Sequence, residues 1–441
     1  MKYKTILNYM KKEILIKNIK PGEKLPSIRN ICNKFQCSKI TVVKVYDLLE
    51  KEHIVYSIPK SGHYLIKNNL NLDNNSLNRN IDFCTSAPDG RILPYDELQH
   101  CLNQAIKLYK ENLLFYSNTQ GLENLIDVIV KQLQDYQVFT NKHCTFITSG
   151  LQQAINILTM MPFPNSKDNV LIEQPTYYGI IKSLELNNIN TIGIKRDCNG
   201  INFDELERIF KDFNIKFFYT IPRFHNPTGF SYSKNDKKQI LELAKKYNVY
   251  IVEDDYLADL EVNKKCDPIY SLDFSSRVIY LKSYSKIVFP GLKISAVVLP
   301  KLLSKTFEKY KRWSDLNTSL LLQGSLEIYI KSGMFNSHIK KLRRIYYEKM
   351  NCLNHATKNS CNPNIIWHVP DSGFFASFEI TNRINTKDIM KRLNTKNVLL
   401  ENPKIFCLNN YINNNLLRLS VSNVNTHEIK KGMSILLKEI Y

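Results

Sequence analysis

The chain has 441 residues, 43% of them apolar, with 25 Tyr and 21 Phe, which excludes long disorder and suits two domains better than one. Its 61 Lys and Arg against 41 Asp and Glu give a formal charge of +20, an excess that favours a polyanion, nucleic acid ahead of membrane, although Lys-rich AT-biased coding would leave the same mark. No apolar run approaches the ~20 residues of a membrane helix, the ten Cys show no Cys-x-x-Cys pair or zinc spacing, and the amino terminus lacks a signal-peptide core, so a cytoplasmic protein without a metal site is expected.

Residues 1–70 carry fourteen Lys and Arg against five Asp and Glu, so +9 of the +20 sits in the first sixth of the chain. After an amino-terminal helical pattern, Pro26 and Ser27 open a short helix, Ile28 to Phe35. Gln36-Cys37-Ser38 makes a turn, and Ser38 caps a second helix, "KITVVKVYDLLEKEH". Its apolar stripe is taken to include Ile40, Val43 and Leu49, leaving Lys39, Thr41 and Lys44 outward. Two helices joined this way offer the first turns of the second to a DNA major groove. "IVYSIPKSGHYLI" alternates and turns at Lys60-Ser61-Gly62, a β-hairpin wing whose basic tip suits phosphate or the minor groove. Residues 1–67 are therefore expected to form a winged helix-turn-helix domain, and the Asn-rich residues 68–82 a linker.

Residues 83–441 read as one large α/β domain with a mostly parallel central sheet. Short strands are expected at "CTFITSG", "NVLIEQP", "IKFFYTIP", "VYIVEDD", "RVIYLKS" and "ISAVVLP", with helices such as "LQQAINILTMM" and "SKNDKKQILELAKKY" between them. Chemistry gathers at the strand ends, where such sheets bind ligands. Lys286, in "YLKSYSKIVFPGLKIS", is a lone lysine between two strand patterns, placed to form a Schiff base with an aldehyde. Pyridoxal 5'-phosphate is the commonest biological aldehyde used this way. It needs a carboxylate at its ring nitrogen and donors for its phosphate. Asp254 supplies the carboxylate; Tyr256 and Asn226 can donate to the ring oxygen, and Tyr177 can stack on the ring. Ser149 and Gly150 start a helix whose amino terminus suits a phosphate, and Ser283 and Ser285 add hydroxyls. Asp255 is expected as a turn or cap residue, and Arg223 as a second cation near a ligand.

The stretch "PGEKLPSIRNICNKFQCSKITVVKVYDLLEKEHIVYSIPKSGHYL" resembles the winged helix of the GntR family, which implies DNA contacts by Arg29, Lys39, Thr41 and Gly62. Where that family has Ser-Arg-x-Thr, this chain has Ser38-Lys39-Ile40-Thr41, and Lys lacks the fork that reads guanine by two bonds. The order TSG, EQPTYYG, HNPTG, EDDY, SYSK, PGLK, RLSVS resembles fold-type I aminotransferases. Together the two resemble the MocR class of regulators, which implies a pyridoxal-phosphate-binding transcription factor acting as a homodimer, often with domains exchanged between copies. The resemblance adds Gln152 and Lys293 to the phosphate site and makes Arg418 the clamp for a ligand carboxylate. Lys293 stands where the family usually has Arg, and Asn226 where many regulators of this class carry an aromatic residue. The expected function is operator binding controlled by an amine or amino-acid effector, or by the cofactor itself, through an aldimine at Lys286. The alternative is a working aminotransferase with an appended DNA-binding domain.

Overall fold

The computed structural model describes the chain except residues 1, 17–18, 20–21, 52–53, 59–60, 66–79, 117, 263–265, 359–362, 382–385 and 441. It contains two compact units, Met1–Arg79 and Asn80–Tyr441.

In the first unit, helices α1 (Lys2–Ile16), α2 (Ile28–Phe35) and α3 (Lys39–Lys51) pack against a hairpin of β1 (Val55–Ile58) and β2 (Gly62–Leu65). The local chemistry sets the boundaries. Ser27 accepts the Asn30 amide at the start of α2, and Gln36 ends that helix in a left-handed conformation. Ser38 Oγ lies 3.0 Å from Thr41 Oγ1 and caps α3. The residues of α3 that enter the core are Val42, Val45, Tyr46 and Leu49. Ile40, expected on the buried stripe, is instead 82% exposed. It lies two residues before Val42, so a 3.6-residue period carries it to the opposite face. The Tyr46 ring stacks on His63 of β2 at 3.9 Å between centroids, tying the wing to α3.

The second unit begins at Asn80, so Ile81 and Asp82 do not belong to the expected linker. As β3 (Ile81–Asp82) they pair in parallel with β14 (Val398–Leu399), and Ile81 is buried, as an apolar residue in a polar stretch should be. The rest of the expected linker, residues 68–79, lies outside the described residues. Helices α4 (Tyr95–Leu108) and α5 (Glu123–Leu133) lead into the central sheet. Its strands are β4 (Thr145–Thr148), β5 (Asn169–Gln174), β6 (Thr191–Asp197), β7 (Gly200–Ile201), β8 (Ile215–Thr220), β9 (Tyr250–Asp254), β10 (Val278–Ser283) and β11 (Ser295–Val298), in the order β4-β11-β10-β9-β8-β5-β6-β7. The run from β10 to β6 is parallel; β11 and β7 are antiparallel to their neighbours. The central strands β5, β8, β9 and β10 are buried along almost their whole length because both faces are covered. The covering helices include α6 (Leu151–Met160), α7 (Tyr178–Leu186), α8 (Phe203–Asp212), α9 (Lys234–Lys246) and α10 (Lys301–Asp315). Asn202 caps α8, and Ser233 with Asp236 forms a capping box at α9. After α11 (Leu320–Lys331) and the long α12 (Met334–Lys358), the chain builds a three-stranded antiparallel sheet from β12 (Ile365–His368), β13 (Phe375–Ile380) and β15 (Leu416–Ser420), with α13 (Thr386–Thr395) and α14 (Thr426–Ile440).

Because β5, β8, β9 and β10 run in one direction, their carboxyl ends share one edge of the sheet. Asp254 and Ser283 are the last residues of β9 and β10. The loops after β5 and β8 deliver Tyr177 and Asn226 to the same edge, and the turn into α6 delivers Ser149 and Gly150.

Candidate functional site

In the first unit, Arg29, Lys39, Ser61 and Gly62 line one groove of about 630 Å³ between α2, the start of α3 and the hairpin. Gly62 has φ 131, a backbone conformation that side-chain-bearing residues rarely adopt, so this turn favours glycine. Lys44 lies over the Tyr3 ring at 4.8 Å, so its ammonium is held on α1. Lys60 is outside the described residues.

In the second unit, a cavity of about 260 Å³ is lined by Ser149, Gly150, Gln152, Tyr177, Asn226, Asp254, Tyr256, Ser283, Ser285, Lys286 and Lys293. Residues separated by up to 144 positions thus meet at one point. Ser86, Tyr178, Ile221 and Pro290 line it as well. Ser86 was not singled out from sequence. Its hydroxyl and carbonyl oxygens accept from Lys286 Nζ at 2.9 and 3.1 Å, across 200 residues. No local pattern marks Ser86; β3 pairs with β14, and the Ser420 amide and Ser422 hydroxyl donate to Phe83 O and Thr85 O at 2.9 Å, which places its segment.

The carboxylate and the lysine are both displaced from ordinary behaviour. Burial raises Asp254 to about 7, against the pull of the Tyr219 hydroxyl that donates to Oδ2 at 2.6 Å. Asp254 Oδ1 is buried with no partner. Burial lowers Lys286 to about 8, helped by the Arg418 charge and opposed by Asp254. Behind them, buried Glu173 at the end of β5 accepts from Arg196 (2.7 Å), Thr220 (2.6 Å), Tyr232 (2.6 Å) and the Ile221 amide (3.1 Å). This network ties the end of β5 to the end of β8 and steadies the loops that carry Tyr177 and Asn226.

Several side chains are used differently from expectation. The Tyr256 hydroxyl donates to the Phe224 carbonyl at 2.8 Å. Ser149 Oγ donates to Asp315 at 2.8 Å, and the Gln152 amide donates to Gly179 O and Ser183 Oγ. Arg223 is not a spare cation. It is buried in a two-bond ion pair with Asp255, and its Nη1 donates to Cys266 O at 2.9 Å. Asp255 opens the expected turn, its carbonyl accepting from the Ala258 amide at 3.2 Å, while its side chain is the buried half of that pair and also accepts from Tyr280 at 2.7 Å. Arg418 is buried beside Phe375 and Phe406, with ring centroids 4.5 and 4.6 Å from its guanidinium carbon. Its Nη1 donates to Asn226 Oδ1 at 3.0 Å, its Nη2 to Cys84 O, and its Nε has no partner. With Oδ1 committed to Arg418, Asn226 has its Nδ2 group to offer as a donor.

A family model described as aminotransferase class I and II matches residues 80–436, and one for bacterial regulatory proteins of the gntR family matches residues 2–65. The chain is 42% identical over 443 residues, all of both chains, to the uncharacterized HTH-type transcriptional regulator YcxD of Bacillus subtilis. Among solved structures it is similar to the kynurenine aminotransferase of Pyrococcus horikoshii, solved with PMP (TM-score 0.75, 26% identity, 82% of this chain and 90% of that one). It is also similar to LysN, the alpha-aminoadipate aminotransferase of Thermus thermophilus, solved with N-(5'-phosphopyridoxyl)-L-leucine (TM-score 0.75, 25% identity, 82% and 92%). The chain belongs to the aminotransferase class I and II family and, joined to its gntR-type winged helix, to the MocR-like HTH-type transcriptional regulators.

Proposed function

We propose that this regulator holds pyridoxal 5'-phosphate in the cavity and that an amine ligand arriving there alters operator binding. The observation that carries the reading is the buried, partnerless Oδ1 of Asp254, a residue that lines the same cavity as a lysine whose proton affinity is lowered. An acceptor of that kind costs about 1–3 kcal/mol until something donates to it, and a protonated ring nitrogen is such a donor. When bound, the cofactor supplies an aldehyde that condenses with a primary amine, on a ring that draws electrons from it. Asp254 keeps the proton on the ring nitrogen. Lys286 Nζ has a neutral, nucleophilic fraction near pH 8. Tyr177 covers the ring, and Asn226 Nδ2 donates to its oxygen. The first amides of α6, Ser283, Ser285 and Lys293 hold the phosphate. Ser86 accepts from Lys286 Nζ and would hold that ammonium, and Arg418 Nε, the guanidinium nitrogen without a partner, would hold a ligand carboxylate. A ligand that makes different contacts with these residues in two arrangements of the protein would shift DNA affinity by that difference.

The full-length protein is titrated with the cofactor and a panel of amines, and the same samples are tested on DNA from upstream of its own gene. A visible absorbance band that one amine shifts, together with a changed DNA affinity, supports the reading. Lys286→Ala should lose both responses and keep basal DNA binding; an unchanged amine response in that variant would refute the mechanism. The second reading, a working aminotransferase, draws on the hydrogen bond that links Asn226, which lines the cavity, to the buried Arg418 guanidinium. It predicts amino transfer at roughly 1 per second or faster.

A further inference from the structure

We propose that Ile40 contacts the C5-methyl group of a thymine in the major groove and so sets part of the operator sequence. The inference rests on the DNA-binding reading of the first unit. Ile40 is 82% exposed, against 41% for Tyr56 and Ile58, the other exposed large apolar residues described in that unit. It sits in the first turn of α3, the turn a helix-turn-helix offers to base edges. The apolar core is complete without it, since Val42, Val45, Tyr46 and Leu49 already fill the inner face. Its neighbours argue for nucleic acid over a protein partner. Lys39 precedes it and lines a groove with Arg29, and the first turn of α3 contains no acidic residue. Lys39 cannot form a two-bond fork to guanine, so it positions the helix on phosphate more readily than it reads a base. A branched aliphatic side chain in that turn has one good partner in the major groove, the thymine methyl. Burying a methyl group is worth about 0.8 kcal/mol, or roughly fourfold in affinity.

The test selects duplexes from a random pool with full-length protein at fixed salt. Each thymine of the selected site is then replaced by deoxyuridine, which removes only the methyl. The expected result is one position per half-site where that change weakens binding about fourfold, and where 5-methylcytosine binds better than cytosine. Ile40→Ala should bind the thymine and deoxyuridine duplexes equally and keep the wild-type salt dependence, because the phosphate contacts remain. Equal binding of thymine and deoxyuridine duplexes by the wild-type protein at every position overturns the role of Ile40 and leaves DNA binding standing; this arm needs no variant. Continued discrimination by a folded Ile40→Ala also overturns it. A wild-type protein that selects no duplex at all overturns both the inference and the reading beneath it.

Discussion

Replacing Asp254 with Asn probes the cofactor reading most directly. The substitution keeps the side chain's shape and an oxygen to accept from Tyr219 (2.6 Å in the native protein), but it removes the charge and turns a donor toward the cavity. A hydrogen bond between a buried carboxylate and a protonated ring nitrogen is worth about 1.5–3 kcal/mol. Its loss should weaken pyridoxal 5'-phosphate binding by roughly 10- to 150-fold. The pH dependence gives a second readout. In the cofactor-free protein burial raises Asp254 to about 7, so its charge appears as pH rises through that value. Wild-type cofactor affinity should therefore inflect near pH 7, and Asp254→Asn should lack that inflection. The assay is an absorbance titration at several pH values, with binding to an unrelated duplex as a control that the winged helix is intact. Affinity within twofold of wild type, with the inflection retained, would refute the assignment of Oδ1 to the ring nitrogen.

Arg223→Met should act on stability and not on ligand response: it strands Asp255 in the core with only the Tyr280 hydroxyl, a loss of about 3–5 kcal/mol in the unfolding of the large unit. Adding Asp255→Leu should recover part of it, whereas normal stability with a lost amine response would restore Arg223 as a ligand group. Burial lowers Lys286 by disfavouring its ammonium, so the rate at which the cofactor-free protein condenses with an aldehyde should rise with pH and level off near 8; a rise continuing toward about 10.4 would mean an unperturbed lysine. The turn after α4 exposes Leu114, Phe115 and Tyr116 by 79, 75 and 83%, a surface suited to the second copy of the proposed homodimer. Leu114→Ser with Phe115→Asp should shift the sedimenting species to monomer with helix content unchanged, and an unaltered species would place the interface elsewhere.

Much of this protein was legible one segment at a time. Ser27 and Ser38 announce two helix starts because a cap is a local hydrogen bond. The strand runs ending at Gln174, Thr220, Asp254 and Ser283 are visible because burial on both faces leaves mostly apolar, β-branched and aromatic sequence. Strand ends of a parallel sheet share an edge, so the residues just after those runs could be gathered into one site from their order alone. Tertiary structure decided whatever depends on distant neighbours. Ile40 looked like core because its spacing to Val43 is helical, but Val42, Val45 and Tyr46 fix which face turns inward. Arg223 looked like a free cation until Asp255, 32 residues away, was found against it. Ser86 carries no motif, yet it meets Lys286 because β14, Ser420 and Ser422, near the other end of the chain, hold the residues just before it. A sequence states which groups are available and which local bonds they can form. Which buried charge is paired, and which polar oxygen stays without a donor, is settled only when remote segments desolvate one another.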